Sequence, residues 1–284
     1  TTLFRSNSRH KARMKFLIQK IGFEAFMDLV KAESKALKNH SFEIPSATAW
    51  EVTPPTLVAS VETPTSEDYA TWLATNTFEQ KQKGFHAVYV RILNGNISST
   101  TSRSLIDALK GYIGDDIRIT INQGLMLKYV PTANLAYVYS VLDAHRLAAP
   151  GANSIANITA CPGTDTCNLA ISDSTNITSK LEAVITEEFP SLIHDSAMKI
   201  KISGCMNACG QHSMASIGFH GSSLKAADKR VLPALQVLLG GATLGNGEGK
   251  IADKVIKVPS KRGPQVLRTL LNNFEENAEA GEYF

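Results

Sequence analysis

Residues 200–221 read IKISGCMNACGQHSMASIGFHG, which sets Cys205 and Cys209 four positions apart between Gly204 and Gly210, at the end of a short apolar run. The other two cysteines, Cys161 and Cys167, lie upstream in CPGTDTC. All four therefore fall within one 49-residue window. Cysteines used as small apolar core residues would scatter rather than gather in this way.

Three chemistries compete for the four thiols. Disulfides suit an even count, but a chain with its own core and no export signal has little need of such staples. Structural zinc favours Cys-x2-Cys knuckles, whereas the spacings here are x5 and x3. An iron–sulfur cluster needs four thiolates around a cube, with backbone N–H groups directed at the sulfurs. Gly163, Gly204 and Gly210 beside the cysteines allow that approach, because a Cβ would hold the backbone away. The [4Fe–4S] reading accounts for most of these features, with the zinc and disulfide readings beside it.

Outward from the cysteines, the pattern predicts strands at NSIANITA, MKIKIS, SIGFHG, ALQVLLGG and DKVIKV, and helices at TSKLEAVITEEF and GPQVLRTLLNNFEENAEAG. A further helix is expected to start near Cys209, so that both pairs lie at strand-to-helix junctions, whose free amides favour anionic ligands. Upstream, HAVYVRILNGNIS reads as a strand ending in the Asn94-Gly95 turn signal, and SRSLIDALKGYIG as a helix stopped by Gly114. DIRITINQGLMLKYV reads as two strands about Asn122 to Gly124, followed by the helix ANLAYVYSVLDAHRLA. This order predicts helices on one face of an antiparallel sheet, an α+β arrangement. Residues 40–84, rich in Pro, Thr and Ser, read as an irregular connection with short strands, of which LVASVE is the best candidate; two helices broken near Gly22 precede them.

The 284 residues, 43% hydrophobic and 19% charged, describe a globular chain able to bury a core. No run approaches the roughly 20 apolar residues of a membrane span, and the N-terminus lacks the apolar block of a secretory signal, so a cytoplasmic location is expected. Residues 1–40 carry nine Lys/Arg against three acids, a local +6 within a total of +3. A solvated helix face explains that arm as readily as an anionic partner does. The chain opens on Thr1 directly into a helical pattern, which reads as a start within a longer protein.

At CPGTDTC and IKISGCMNACGQHSMASIGFHG the chain resembles the siroheme-containing assimilatory sulfite and nitrite reductases. RSNSRHKARMKFLIQKIG resembles the segment that leaves the first half of their pseudo-symmetric molecule. FHAVYVRILNGNI with RITINQGLML is similar to the second repeat, and VLLGG at 237–241 and FEENAEAGEYF to the C-terminal region. The resemblance implies a helical connecting segment at 1–45, a ferredoxin-like sulfite-reductase half-domain at 46–150 and an α/β siroheme/[4Fe–4S]-binding domain at 151–284.

It also implies six-electron reduction of sulfite to sulfide or of nitrite to ammonia, with an electron donor that is a ferredoxin or a flavoprotein subunit, and no nucleic-acid or membrane partner. Cys161, Cys167, Cys205 and Cys209 resemble the cluster ligands, and Cys209 the catalytic thiolate shared with the siroheme iron. Asn122, Gln123 and Asn207 resemble siroheme-pocket residues, while Gly240 and Gly241 resemble a close backbone approach to the macrocycle. In this family the cations that grip the substrate come mainly from the N-terminal half of the same enzyme, absent from this sequence, so the chain alone is expected to be incomplete, or even without its cofactors. Arg9, His10, Lys11 and Arg13 match a connecting segment, and His212 reads as a helix residue. The chain also stops at Phe284, short of the family's usual tail. Outside the resemblance, an electron carrier with a cluster and no siroheme, or a zinc-stabilised interaction protein, are the competing functions.

Overall fold

The computed structural model of the chain describes residues 14–37, 54–59, 61–195, 197–245 and 247–277. The cation group at Arg9 to Arg13 and the end of FEENAEAGEYF lie outside them. The described residues belong to two compact units that divide between residues 51 and 52. The first holds α1 (Met14–Ile21) and α2 (Phe23–Ala36), separated by Gly22 at φ 85, as the sequence predicts. α2 contributes no buried residue.

The second unit begins with α3 (Glu67–Asn76), a helix the sequence reading missed. Its start is capped by Ser66, whose hydroxyl accepts from Tyr69 N. β1 (Thr77–Glu79), β2 (Phe85–Val90), α4 (Ser99–Leu109), β3 (Ile117–Ile119), β4 (Leu125–Pro131) and α5 (Leu135–Ala144) follow. The strands form an antiparallel sheet in the order β1-β2-β4-β3. Alternation along β2 buries Val88 and Val90. Trp72, Leu105, Leu109, Val138 and Leu142 from the three helices pack with them and with Leu127 and Val130.

Two expectations fail in this part. The described residues of LVASVE form no strand: its flank is threaded with prolines, and Val58 N donates instead to Asn134 Oδ1 at 3.0 Å. α4 stops at Leu109 rather than running to Gly114, because Gly111 turns the chain at φ 83. Asn94 and Gly95 do form a tight turn, both at positive φ, but it leads into α4 and not into a paired strand.

Asn134 is fully buried, and its Nδ2 donates to Thr56 O and Tyr112 O at 2.9 and 2.8 Å. One amide thus ties the extended segment before α3 to the sheet. Asn134→Ala leaves three backbone groups without that partner, and a loss of about 2–4 kcal/mol in urea unfolding is expected.

The remaining elements are β5 (Thr159–Ala160), α6 (Ser174–Glu188), β6 (Ile200–Ser203), β7 (Ile217–Lys225), β8 (Val231–Leu239), β9 (Ala242–Gly245), β10 (Glu248–Lys250), β11 (Asp253–Pro259) and α7 (Gly263–Asn277). Five of these strands form a sheet ordered β11-β8-β7-β6-β5, in which β5, β6 and β7 run parallel and β8 and β11 antiparallel to their neighbours. α6 is the crossover that a parallel β5–β6 pair requires. Leu181 and Ile185 of α6 and Leu267 and Leu271 of α7 cover one face, packing on Ile200, Ile202, Ile217, Phe219 and Leu235. NSIANITA yields only the two residues of β5. No α-helix starts near Cys209: Ala208 and Gln211 both sit at positive φ, and only a 3-10 turn, His212–Met214, follows. His212 therefore belongs to that turn.

Candidate cluster-binding site

The two cysteine pairs sit on loops that leave the ends of the neighbouring parallel strands β5 and β6. Cys161 follows β5 directly, and its N–H continues the ladder to Ile202 O at 3.2 Å. The loop then turns through Gly163–Asp165, and Cys167 N donates to Gly163 O at 3.0 Å. Its return segment is fastened to the second loop, because Ile171 N and Ser172 N both donate to Gly204 O, at 2.7 and 3.1 Å. Gly204 N in turn donates to Cys161 Sγ at 3.0 Å. One glycine peptide thus links the first cysteine of one pair to the loop of the other.

The fit is close enough to exclude side chains. A Cβ on Gly204 would lie 2.6 Å from Gly163 Cα, one on Gly210 would lie 2.0 Å from Ile202 O, and one on Gly221 would lie 2.0 Å from Gly204 O. Glycine is required at these places for space rather than for torsional freedom.

Two serines that the sequence reading passed over hold the loops. Ser174, at the start of α6, donates to Cys161 O at 2.7 Å and its Oγ lies 3.7 Å from Cys161 Sγ. Ser203 Oγ accepts from Gly210 N at 2.9 Å and meets His212 Nδ1 at 2.9 Å, closing the loop that carries Cys205 and Cys209. Burial, then the neighbouring His220 ring 4.7 Å away and Lys254, push the His212 imidazole down to about 4, so it is neutral at pH 7.

All four thiols are free. Cys205 is buried, Cys161 and Cys167 are half-buried, and Cys209 is exposed. Among the described residues no three His, Cys, Asp or Glu gather closely enough to hold a single ion. A cube takes its thiolates at separate corners, so four cysteines on two adjoined loops, with a backbone N–H on one sulfur, suit a [4Fe–4S] cluster better than one zinc ion.

The other expected site residues lie around these loops. Gln123, at φ 63 in the turn before β4, clamps the residue ahead of Cys161: its Nε2 donates to Ala160 O at 2.7 Å, and its Oε1 accepts from Ala160 N at 2.9 Å. It thereby completes the open edge of β5. Asn122 Nδ2 donates to Asn153 Oδ1 at 2.6 Å, while its Oδ1 accepts from Thr159 Oγ1 at 3.4 Å. Asn207 is half-buried between the second pair of cysteines. Gly240, at φ 82, and Gly241 donate to Ser216 O and Ala215 O, and a Cβ on Gly241 would lie 2.6 Å from Ala215 O. The close approach at Gly241 is therefore to the segment that follows the cysteine loop.

Comparison with known proteins agrees with this arrangement. Residues 78–145 match the nitrite/sulfite reductase ferredoxin-like half domain, and residues 151–283 match the nitrite and sulphite reductase 4Fe–4S domain. The chain is 26% identical over 281 residues to a sulfite reductase [ferredoxin] of Mycobacterium tuberculosis, covering 97% of this chain and 46% of that protein. It is 24% identical over 278 residues to the ferredoxin–nitrite reductase of Synechococcus elongatus, covering 95% and 48%. The solved structure of Mycobacterium tuberculosis NirA superposes with a TM-score of 0.66 at 24% identity, over 96% of this chain and 47% of that one, and shows the shared fold. The chain thus spans about half the length of the relatives it matches. With both family matches falling on successive parts of the second unit, and the second of them on the loops that carry the four thiols, the chain belongs to the nitrite and sulfite reductase family.

Proposed function

We propose that this chain is the C-terminal half of a siroheme-dependent reductase that delivers six electrons to sulfite, giving sulfide, or to nitrite, giving ammonia. The observation that carries the reading is the pair of cysteine loops joined through Gly204, with Cys209 alone of the four thiols exposed. When bound, the cluster and siroheme would supply the low-potential electrons and an iron able to bind the anion.

In this reading Cys161, Cys167, Cys205 and Cys209 hold the cluster, and the exposure of Cys209 suits the ligand that must also reach the siroheme iron. Gln123 and Asn122 keep β5, and so Cys161, in register, and would contact the siroheme. Asn207 and the Gly240–Gly241 turn would contact the siroheme. The N-terminal half of the enzyme supplies most of the substrate cations. The donor is a ferredoxin or a flavoprotein subunit, with ferredoxin favoured by the names of the relatives. No described helix is long and apolar enough to cross a membrane, and a cytoplasmic location is proposed. The segment at the first cysteine pair and the Asn122-Gln123 turn lean toward sulfite.

Anaerobic reconstitution is expected to give about four iron and four acid-labile sulfide per chain. Cys205→Ser should abolish both. Zinc without sulfide would sink the reading, and a cluster in the full-length protein without a haem-like visible band would favour a simple carrier. Turnover of the full-length protein with each anion under a low-potential reductant then separates sulfite from nitrite.

A further inference from the structure

β6 carries a second set of groups that the reading above does not use. Its alternation sends Ile200 and Ile202 into the core and turns Lys201 and Ser203 to the opposite face, with Lys199 just before the strand. That face is buried as well, and Lys201 is only 8% exposed. Its ammonium reaches Thr159 Oγ1 at 3.2 Å and, more distantly, Asn122 Oδ1 at 3.5 Å. Lys199 Nζ donates to the carbonyl of Asn153. Every one of these partners is neutral.

We infer that Lys199 and Lys201 form an anion site at the seam between the Asn122-Gln123 turn and β6, built to take a carboxylate or a small oxyanion. The inference rests on the reductase reading and specifies residues for it. Among the described residues neither ammonium forms an ion pair; Asp195 acts on Lys199 only at longer range. A buried cation without a counter-charge is costly, and here buried Lys201 has half-buried Lys199 two positions before it, at the entry to β6. An ammonium has three donors, so the two neutral acceptors leave one of Lys201 unspent. The physical complement of this arrangement is negative charge.

The electrostatics agree with the geometry. Burial, and then the Lys199 charge, bring the Lys201 ammonium down to about 8, and burial lowers Lys199 as well. Placement adds a reason. Thr159 lies two residues before Cys161 and Lys201 four before Cys205, so an anion held here borders both strand ends that carry the thiols. Two sources offer the same chemistry: a carboxylate of the macrocycle, or free sulfite or nitrite.

Lysine ionisation, followed by NMR of the isotope-labelled protein with Lys199→Met and Lys201→Met for assignment, tests the site. Sodium nitrite added to the cofactor-free protein is one arm, and the full-length protein carrying the cluster, compared with and without siroheme and without oxyanion, is the other. The Lys201 titration is expected to rise by about one pH unit or more in at least one arm. A rise with nitrite identifies a free oxyanion, and a rise only on loading identifies the macrocycle carboxylate. Where nitrite binds, it should raise the melting temperature of the parent and of Lys201→Arg, but not that of Lys201→Met. An unmoved Lys201 titration in both arms overturns the inference. Should the full-length protein take up neither cluster nor siroheme, the reductase reading fails and the nitrite arm alone decides the lysines.

Discussion

Arg91→Ala is expected to destabilise the folded chain by about 3–5 kcal/mol, the range for removing one partner of a buried ion pair. Arg91 leaves the end of β2 and crosses to the cluster-bearing part of the unit. Its Nη1 donates to Pro150 O, and its Nη2 to Ala156 O at 2.6 Å and to Glu182 Oε2 at 3.2 Å. Both side chains are almost wholly buried, and Glu182 Oε1 accepts from Ile158 N at 3.0 Å. Alanine leaves two carbonyls and one carboxylate without their cation.

The sign of the pH dependence follows from Glu182. Burial raises its carboxyl to about 6 despite the opposing Arg91 charge and the Ile158 N–H. A raised carboxyl means that the folded chain holds more protons than the unfolded one between the ordinary value of 4.5 and about 6, so this group's contribution to stability falls as pH rises through that window. Without Arg91 the carboxyl goes higher still, and the window extends upward with it. Chemical denaturation at pH 5 and pH 8 should therefore show a smaller loss at the lower pH, and adding Glu182→Gln should recover part of the loss and flatten the dependence. A loss below about 1 kcal/mol, or one equal at both pH values, would refute this account of the pair.

What the sequence disclosed and what it hid divide along a physical line. The cysteine loops were legible because ligand spacing and neighbouring glycines are local, and strands such as HAVYV were legible from their β-branched and aromatic residues. α3 was hidden because EDYATWLATN has little amphipathic contrast; Trp72 is fully buried against Tyr69 and Tyr139, contacts that local pattern does not reveal. The absent helix after Cys209 reflects two left-handed residues, Ala208 and Gln211, whose types carry no such signal. MKIKIS read simply as a strand, yet lysines alternating with isoleucines in a strand buried on both faces mark a polar inner layer. Nor does spacing show that Gln123 finishes the edge of β5 from 37 residues away.

The glycine lattice gives the second large effect. Gly221→Ala is expected to leave the protein folded, at a cost of about 1–3 kcal/mol for overpacking, and to prevent the cluster from being retained. Gly221 lies on β7 one step beyond the Ser203–His220 register pair, and its added Cβ would sit 2.0 Å from Gly204 O and 2.6 Å from Gly204 C. Backbone cannot give way there as a flexible side-chain end would. Gly204 O is the acceptor for Ile171 N and Ser172 N, and Gly204 N is the donor to Cys161 Sγ. Moving this one peptide shifts both cysteine loops at once, away from each other and away from the sulfur that the N–H serves. Iron and acid-labile sulfide after reconstitution, read beside the urea midpoint, separate the two consequences. Ser222→Ala, at the next position of the same strand, should keep both near the parent values. Full iron and sulfide content in Gly221→Ala would mean that the two loops reach the cluster independently of their junction at Gly204.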